Sequence, residues 1–155
     1  MPQYSLISKD RLATGDERLQ RVFNYIILYY DCSILCGHRG KEGQDEAYAN
    51  KWSKVQWPTS KHNSIPSMAI DVAPYPIIWP ETLKMLKRFK EGRGTVSQIM
   101  MTIKDLSRFY HFAGYVQGVA QKMGTPLRWG GDWDSDRDFK DQTFDDLPHF
   151  ELRGI

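Results

Sequence analysis

Several features are scarce in this sequence, and each absence excludes something. No stretch is apolar for long enough to cross a bilayer: VFNYIILYYDCSILC is interrupted by Asn24 and Asp31 and falls short of the ~20 residues a spanning helix needs. The opening MPQYSLISKDRLATGDE lacks the apolar core of a secretory signal, so synthesis in a cytoplasm without export by that route is expected. An excess of one charge is also missing. With 21 basic and 19 acidic residues the net charge is +2, which gives no electrostatic reason to expect a nucleic-acid partner. Cysteine is limited to Cys32 and Cys36. On a strand these would lie ~13 Å apart, beyond disulfide reach, and they read as reduced buried thiols, with nearby His38 offering a metal pair as the less favoured alternative. There is no internal repeat and no low-complexity tail.

What is present suits one compact domain over residues 1–155: hydrophobic residues make up 41% and aromatics 13%, enough for a core at this length. Thr14 and Glu17 form a capping-box pattern, and Leu19, Val22, Phe23, Ile26, Ile27 and Tyr30 recur at helical spacing, predicting a helix over about 15–30. CSILC predicts a buried strand ending in a turn with His38 and Arg39. Good helix formers from Glu42 to Trp57, with Tyr48, Trp52 and Val55 on one side and Pro58 closing it, predict a second helix. SKHNSIPS reads as loop and AIDVAPY as strand. PETLKMLKRFK predicts a short helix with Pro80 at its first position. EGRGTVSQ reads as loop, and a long helix is expected from Thr102 to Met123 with Gly124 at its end. LRW suggests a strand and GGDWDSDRDFKDQTFDD a polar loop. DLPHFEL alternates, with His149 and Glu151 on one face and Phe150 and Leu152 on the other.

The chemistry starts at Asp71. In AIDVA the aliphatic Ile70 and Val72 share the core face, so Asp71 lies on the other face between Ala69 and Ala73. A carboxylate in a strand of this kind is costly unless it is paired or binds a metal. His62 and His149 are the other candidate ligands. Two imidazoles and one carboxylate leave a fourth tetrahedral position for water, the arrangement of a catalytic zinc site. Asp146, three residues before His149, is an acid suited to accept the water's proton and pass it to a leaving amine. His38 and His111 read as structural, and the default for Asp145 and Asp146 is a solvated turn.

The ordered motifs SKHNSIPSMAID, GHRGKEGQ and DLPHFEL resemble those of the VanY-type D-Ala-D-Ala carboxypeptidase-like zinc peptidases, and LRWGGDWD is similar to phage endolysins of that group that act as L-alanyl-D-glutamate peptidases. The likeness runs from about residue 33 to 152. It implies an α+β fold in which a small antiparallel sheet carries the zinc site and several helices pack it. It implies one Zn²⁺ held by His62, Asp71 and His149, Asp146 as the catalytic acid and base, and Arg39 supporting the oxyanion. Gln44 and Ser60 match the remaining polar positions, as support for the ligands or as substrate contacts. Trp129, Asp132 and Trp133 would line the cleft, plain core packing being the equal alternative for the tryptophans. The sequence departs from the family at the first ligands: eight residues, NSIPSMAI, separate His62 from Asp71, and the usual glycine is absent.

The expectation is therefore a phage-type endolysin that cuts the L-Ala–D-Glu bond of the peptidoglycan stem peptide. It would act as a monomer without stable membrane insertion or a separate wall-binding module, and reach the wall from the host cytoplasm after a separate membrane lesion. The rivals are D-Ala-D-Ala carboxypeptidase or dipeptidase activity, for which Lys61 or Arg128 would meet the terminal carboxylate, and a non-catalytic zinc-stabilised wall-binding domain.

Overall fold

The computed structural model describes residues 1–154. Among them are five α-helices and one four-stranded antiparallel sheet, an α+β arrangement. In chain order these are α1 (Leu6–Ala13), α2 (Glu17–Ile26), β1 (Cys32–Cys36), α3 (Lys41–Ala49), β2 (Ala69–Pro74), α4 (Thr82–Lys90), α5 (Val96–Lys122), β3 (Leu127–Gly130) and β4 (Asp146–Leu152). The sheet order is β1-β2-β4-β3.

Period-2 and period-3.6 patterns meet on one face of this sheet. Ile34, Ile70, Val72, Phe150 and Leu152 point from the strands into a core completed by Leu19, Val22, Phe23 and Ile26 of α2 and by Phe112, Ala113 and Val116 of α5. Phe150 is the hinge of this packing, meeting Phe23 edge-on at 5.7 Å and Phe112 at 6.0 Å between ring centroids. The opposite face of β2 and β4 carries the polar residues Asp71, His149 and Glu151.

Several elements differ from the sequence expectation. The helix expected over 15–30 is α2, which starts at Glu17 and is capped by Asp16, whose carboxylate accepts from the Arg18 amide at 2.9 Å. Thr14 does not cap it: its hydroxyl donates to the Arg11 carbonyl and accepts from the His38 amide, tying the end of α1 to the turn after β1. Helix α1 itself was not foreseen, because only Ser8 and Leu12 of its eight residues are buried and its periodicity is weak. Helix α3 stops at Ala49 rather than Trp57. Lys51 takes φ 62°, and the Trp52 amide turns back to the Ala47 carbonyl. Tyr48, Trp52 and Val55 are all exposed, and the residues α3 buries are Gln44 and Ala47. Pro80 precedes α4, which begins at Thr82, and α4 buries no residue. Helix α5 begins at Val96, inside the expected loop, because Thr95 and Gln98 form a reciprocal capping box. Its end is as expected, with Gly124 at φ 68°.

Candidate metal centre and cleft

The strand register brings the central residues together. Asp71 of β2 lies directly opposite His149 of β4 on one side and opposite Cys36 of β1 on the other, while Glu151 faces both Ala69 and Arg128. His62 arrives from outside the sheet, on a single 3-10 turn over Lys61–Asn63 within the segment read as loop. Ser60 caps that turn through the His62 amide, and the Asn63 side chain closes it on the Ser60 amide. The Arg39 amide donates to the His62 carbonyl at 2.8 Å, which joins the turn to the end of β1.

Three atoms converge: His62 Nε2, His149 Nδ1 and Asp71 Oδ1 form a triangle with sides of 3.0, 3.1 and 3.1 Å. The outer ring nitrogens fix which face of each imidazole points inward. His62 Nδ1 donates to the Gly37 carbonyl at 2.7 Å, and His149 Nε2 donates to Glu151 Oε2 at 2.9 Å. Both neutral rings thus aim a lone pair at the same point as the Asp71 oxygen. Three mutually facing lone pairs repel unless a cation lies between them, and sides of this length are close to the ~3.3 Å ligand spacing of a tetrahedral site with bonds of ~2.0–2.1 Å. The donor set therefore fits a zinc ion.

Without a metal, protons take that place. Burial pulls His62 down, but the Asp71 carboxylate pushes it up to about 10. His149 is raised by Asp71 and Glu151 against the same burial. Burial favours protonation of Asp71, yet the two histidines hold it far below the usual carboxylate range. Arg39 adds to this, its Nη2 donating to Asp71 Oδ2 at 3.1 Å.

Asp146 stands at the start of β4, at a bulge where the register shifts between Trp129 and Gly130. It lines a cleft of about 550 Å³ together with Arg39, His62, His149, Trp133 and Phe144. Burial, then the nearby Asp71 charge, push its carboxyl up to about 6. A carboxylate tuned towards neutrality in a cleft beside a ligand cluster is suited to proton transfer.

The remaining predicted residues divide. Trp133 does face the cleft, its ring 5.4 Å from that of His149 and stacked on Phe144 at 6.3 Å. Ser60 lines the cleft and also caps the His62 turn. Three expectations need correction. Gln44 is fully buried and meets no substrate space: it accepts from Arg39 Nη1 and the Asn63 amide and donates to Ser53 and the Val55 carbonyl. Trp129 is core, 1% exposed, with its indole N–H given to the Leu147 carbonyl. Asp132 is buried and does not line the cleft.

His38 and His111 are structural as expected, on the Ser64 carbonyl and the Tyr30 hydroxyl respectively. Both cysteines are free, but Cys36 is no ordinary core thiol: its sulfur, a His62 nitrogen and an Asp71 oxygen lie within 4.8 Å of one another. The sequence reading missed Glu151, and it offered Arg128 only as a contact for a terminal carboxylate in the carboxypeptidase rival. Arg128 Nε donates to Glu151 Oε1 at 2.9 Å, leaving the other oxygen for His149. The alternation of DLPHFEL already placed Glu151 on the face of His149, and that was the available signal.

The chain is similar to known proteins in part of its sequence and in its fold. Residues 94–153, which include Trp133, Asp146, His149 and Glu151, match the family model of the phage L-alanyl-D-glutamate peptidases. The crystal structure of the Serratia marcescens L-Ala D-Glu endopeptidase ChiX superposes with a TM-score of 0.64 at 22% identity, over 97% of this chain and 90% of that one. The chain therefore shares the α+β fold of that structure. No curated protein matches the chain in sequence.

Proposed function

We propose that this protein is a zinc-dependent peptidoglycan peptidase of the endolysin kind that hydrolyses the L-Ala–D-Glu bond of the stem peptide. The observation that carries the reading is the convergence of His62 Nε2, His149 Nδ1 and Asp71 Oδ1 at 3.0–3.1 Å, with Asp146 in the adjoining cleft. The match of residues 94–153 and the shared fold with an endopeptidase support the choice of bond.

His62, Asp71 and His149 would hold the zinc, which when bound polarises a carbonyl and lowers the pKa of water towards ~7. Asp146 takes the proton of the attacking water and returns it to the departing amine of D-Glu. Its raised affinity for a proton makes it able to do both near neutral pH. Arg39, held by Gln44 and Asp71, keeps guanidinium N–H groups at the cleft for the oxyanion that develops on the carbonyl oxygen. Trp133 and Phe144 give the cleft an apolar wall for the aliphatic atoms of the peptide, and Lys54 lies over Phe144 at 5.1 Å.

No helix among the described residues is long and apolar enough to cross a membrane. We infer action on the wall by a protein made in the host cytoplasm and admitted by a separate membrane lesion. Mass spectrometry of digested muropeptides tests the reading: a new amino terminus on D-Glu is expected, and release of a single terminal D-Ala would replace it with the carboxypeptidase.

A further inference from the structure

Away from the cleft, the segment from Tyr75 to Ile103 carries an apolar surface that the proposed reaction does not use. Eleven of the 23 large apolar side chains exposed among the described residues lie in this stretch, which is under a fifth of the chain. A contiguous apolar surface of this kind marks a place that something else covers. Helix α4 buries none of its residues, and α5 buries only Thr102 before it reaches Phe109, so the two helices, packed on each other, form a hairpin that stands off the core. Its apolar residues keep helical spacing, Leu83, Leu86 and Phe89 on α4 and Val96, Met100 and Ile103 on α5. Leu83 is 84% exposed and Val96 66%.

The same segment concentrates positive charge. Between Glu81 and Arg93 there are five basic and two acidic residues, a net +3 against +2 for the entire chain. Lys84 pairs with Glu81 at 2.8 Å and Arg93 with Glu91, whereas Lys87, Arg88 and Lys90 have no ion pair among the described residues. Lys84, Lys87 and Arg88 share the face of α4 opposite Leu86 and Phe89. A helix with cations on one face and bulky apolar groups on the other lies in the plane of a bilayer interface, its apolar side among the acyl chains and its cations among anionic headgroups. Trp79, half exposed and stacked on the buried Phe109 at 5.3 Å, adds a firmly held ring of the kind that settles at headgroup level.

We propose that α4 and the first turns of α5 form a docking surface for an anionic lipid bilayer, on which the protein rests without crossing it. Charge and apolarity together select that occupant. A second copy of the chain would bring two surfaces of the same positive sign against each other, and a soluble polyanion would leave the apolar rows in water. A bilayer that carries anionic lipid satisfies both features. None of the surface residues lines the cleft of Asp146, so docking does not depend on which bond is cut. For a wall peptidase it concentrates the protein at the membrane beside its substrate, and that consequence alone rests on the proposed function.

Co-sedimentation of the full chain with phosphatidylcholine vesicles, with and without phosphatidylglycerol, tests the surface independently of activity. Binding is expected only to the vesicles that contain phosphatidylglycerol, and it should weaken as salt is raised. The triple variant Lys87→Gln, Arg88→Gln, Lys90→Gln should weaken it at least about tenfold, and Leu83→Ser alone several-fold. All four positions are exposed, so both variants should keep the circular dichroism spectrum and any hydrolysis of soluble muropeptides shown by the unsubstituted protein. Lys9→Gln, an exposed lysine on α1, should leave binding unchanged. Absence of binding to phosphatidylglycerol vesicles, or binding that the triple variant leaves intact, overturns the proposal. Binding lost in the triple variant but untouched by Leu83→Ser identifies a polyanion as the partner and overturns the bilayer. Failure of the unsubstituted protein to cut muropeptides while it still binds vesicles would count against the proposed reaction and leave the docking surface standing.

Discussion

Glu151 and the Gly37 carbonyl settle which nitrogen each histidine offers, one by taking the proton of His149 Nε2 and the other that of His62 Nδ1. Partners of this kind orient a metal-binding imidazole, and losing one typically weakens affinity 10–100-fold. Glu151→Leu should therefore lower zinc affinity by about that factor in a chelator-competition assay. Glu151→Gln, which still offers an acceptor, should lose less. Asp146→Asn should keep the zinc and reduce turnover by ~10²–10⁴-fold, the usual contribution of a positioned acid or base. Because burial and Asp71 raise the Asp146 carboxyl to about 6, kcat/KM should fall on the acid side at a pH above the ordinary aspartate range. A cation bound beside it would draw that limb somewhat below 6, and a limb at or under pH 4 would contradict the role of Asp146.

At the scale of elements, close backbone approaches hold the site. A side chain at Gly37 would meet Thr14 Oγ1 at 2.1 Å and the Arg11 carbonyl at 2.2 Å, so the end of β1 lies against the end of α1 with no room for a methyl group. Gly37→Ala should cost ~1–3 kcal/mol in denaturant unfolding. It should also weaken zinc, because the carbonyl that orients His62 must move. Gly130 plays the same part at the β3–β4 bulge, where an added Cβ would lie 2.3 Å from the Asp146 carbonyl. Strand β4 was readable from its alternation, and β2 from AIDVA. Helix α1 was not, since a helix that buries two residues leaves almost no periodic signal. The end of α3 was misplaced for a related reason: its inward residues are the small Ala47 and the polar Gln44, whose burial is offset by four hydrogen-bond partners outside the helix.

Over the whole molecule, the ligand cluster links metal, protons and stability. In the metal-free protein His62 is raised to about 10 from an unfolded value near ~6.5, so its contribution is complete below ~6.5 and is lost as pH rises towards 10. Asp71 is held low, so its contribution is present above ~3.9 and is lost as pH falls. Metal-free melting temperature should accordingly be highest between about pH 4 and 6.5 and decline above it. Zinc at this cluster would reverse the trend by competing with those protons: affinity should rise with pH, and calorimetry in buffers of different ionisation enthalpy should show release of on the order of one proton per zinc at neutral pH. Chelation should abolish wall clearance.

The sequence by itself determined which candidate ligands are available and the faces they occupy. Asp71 and His149 sit in short alternating strands whose apolar partners can only point into the core, so their outward direction follows from a period of two. Residue identity left Asp146 as a solvated turn by default, and the resemblance of DLPHFEL to the peptidase motif singled it out as the acid near His149. Only the tertiary structure decided the rest. It seated Trp129 and Gln44 inside and Trp133 in the cleft, and it set Cys36, Glu151 and Arg128 around the ligands. Those positions depend on antiparallel register and on contacts between segments tens of residues apart, such as Gly37 with His62 and Arg39 with Asp71, which no local pattern encodes.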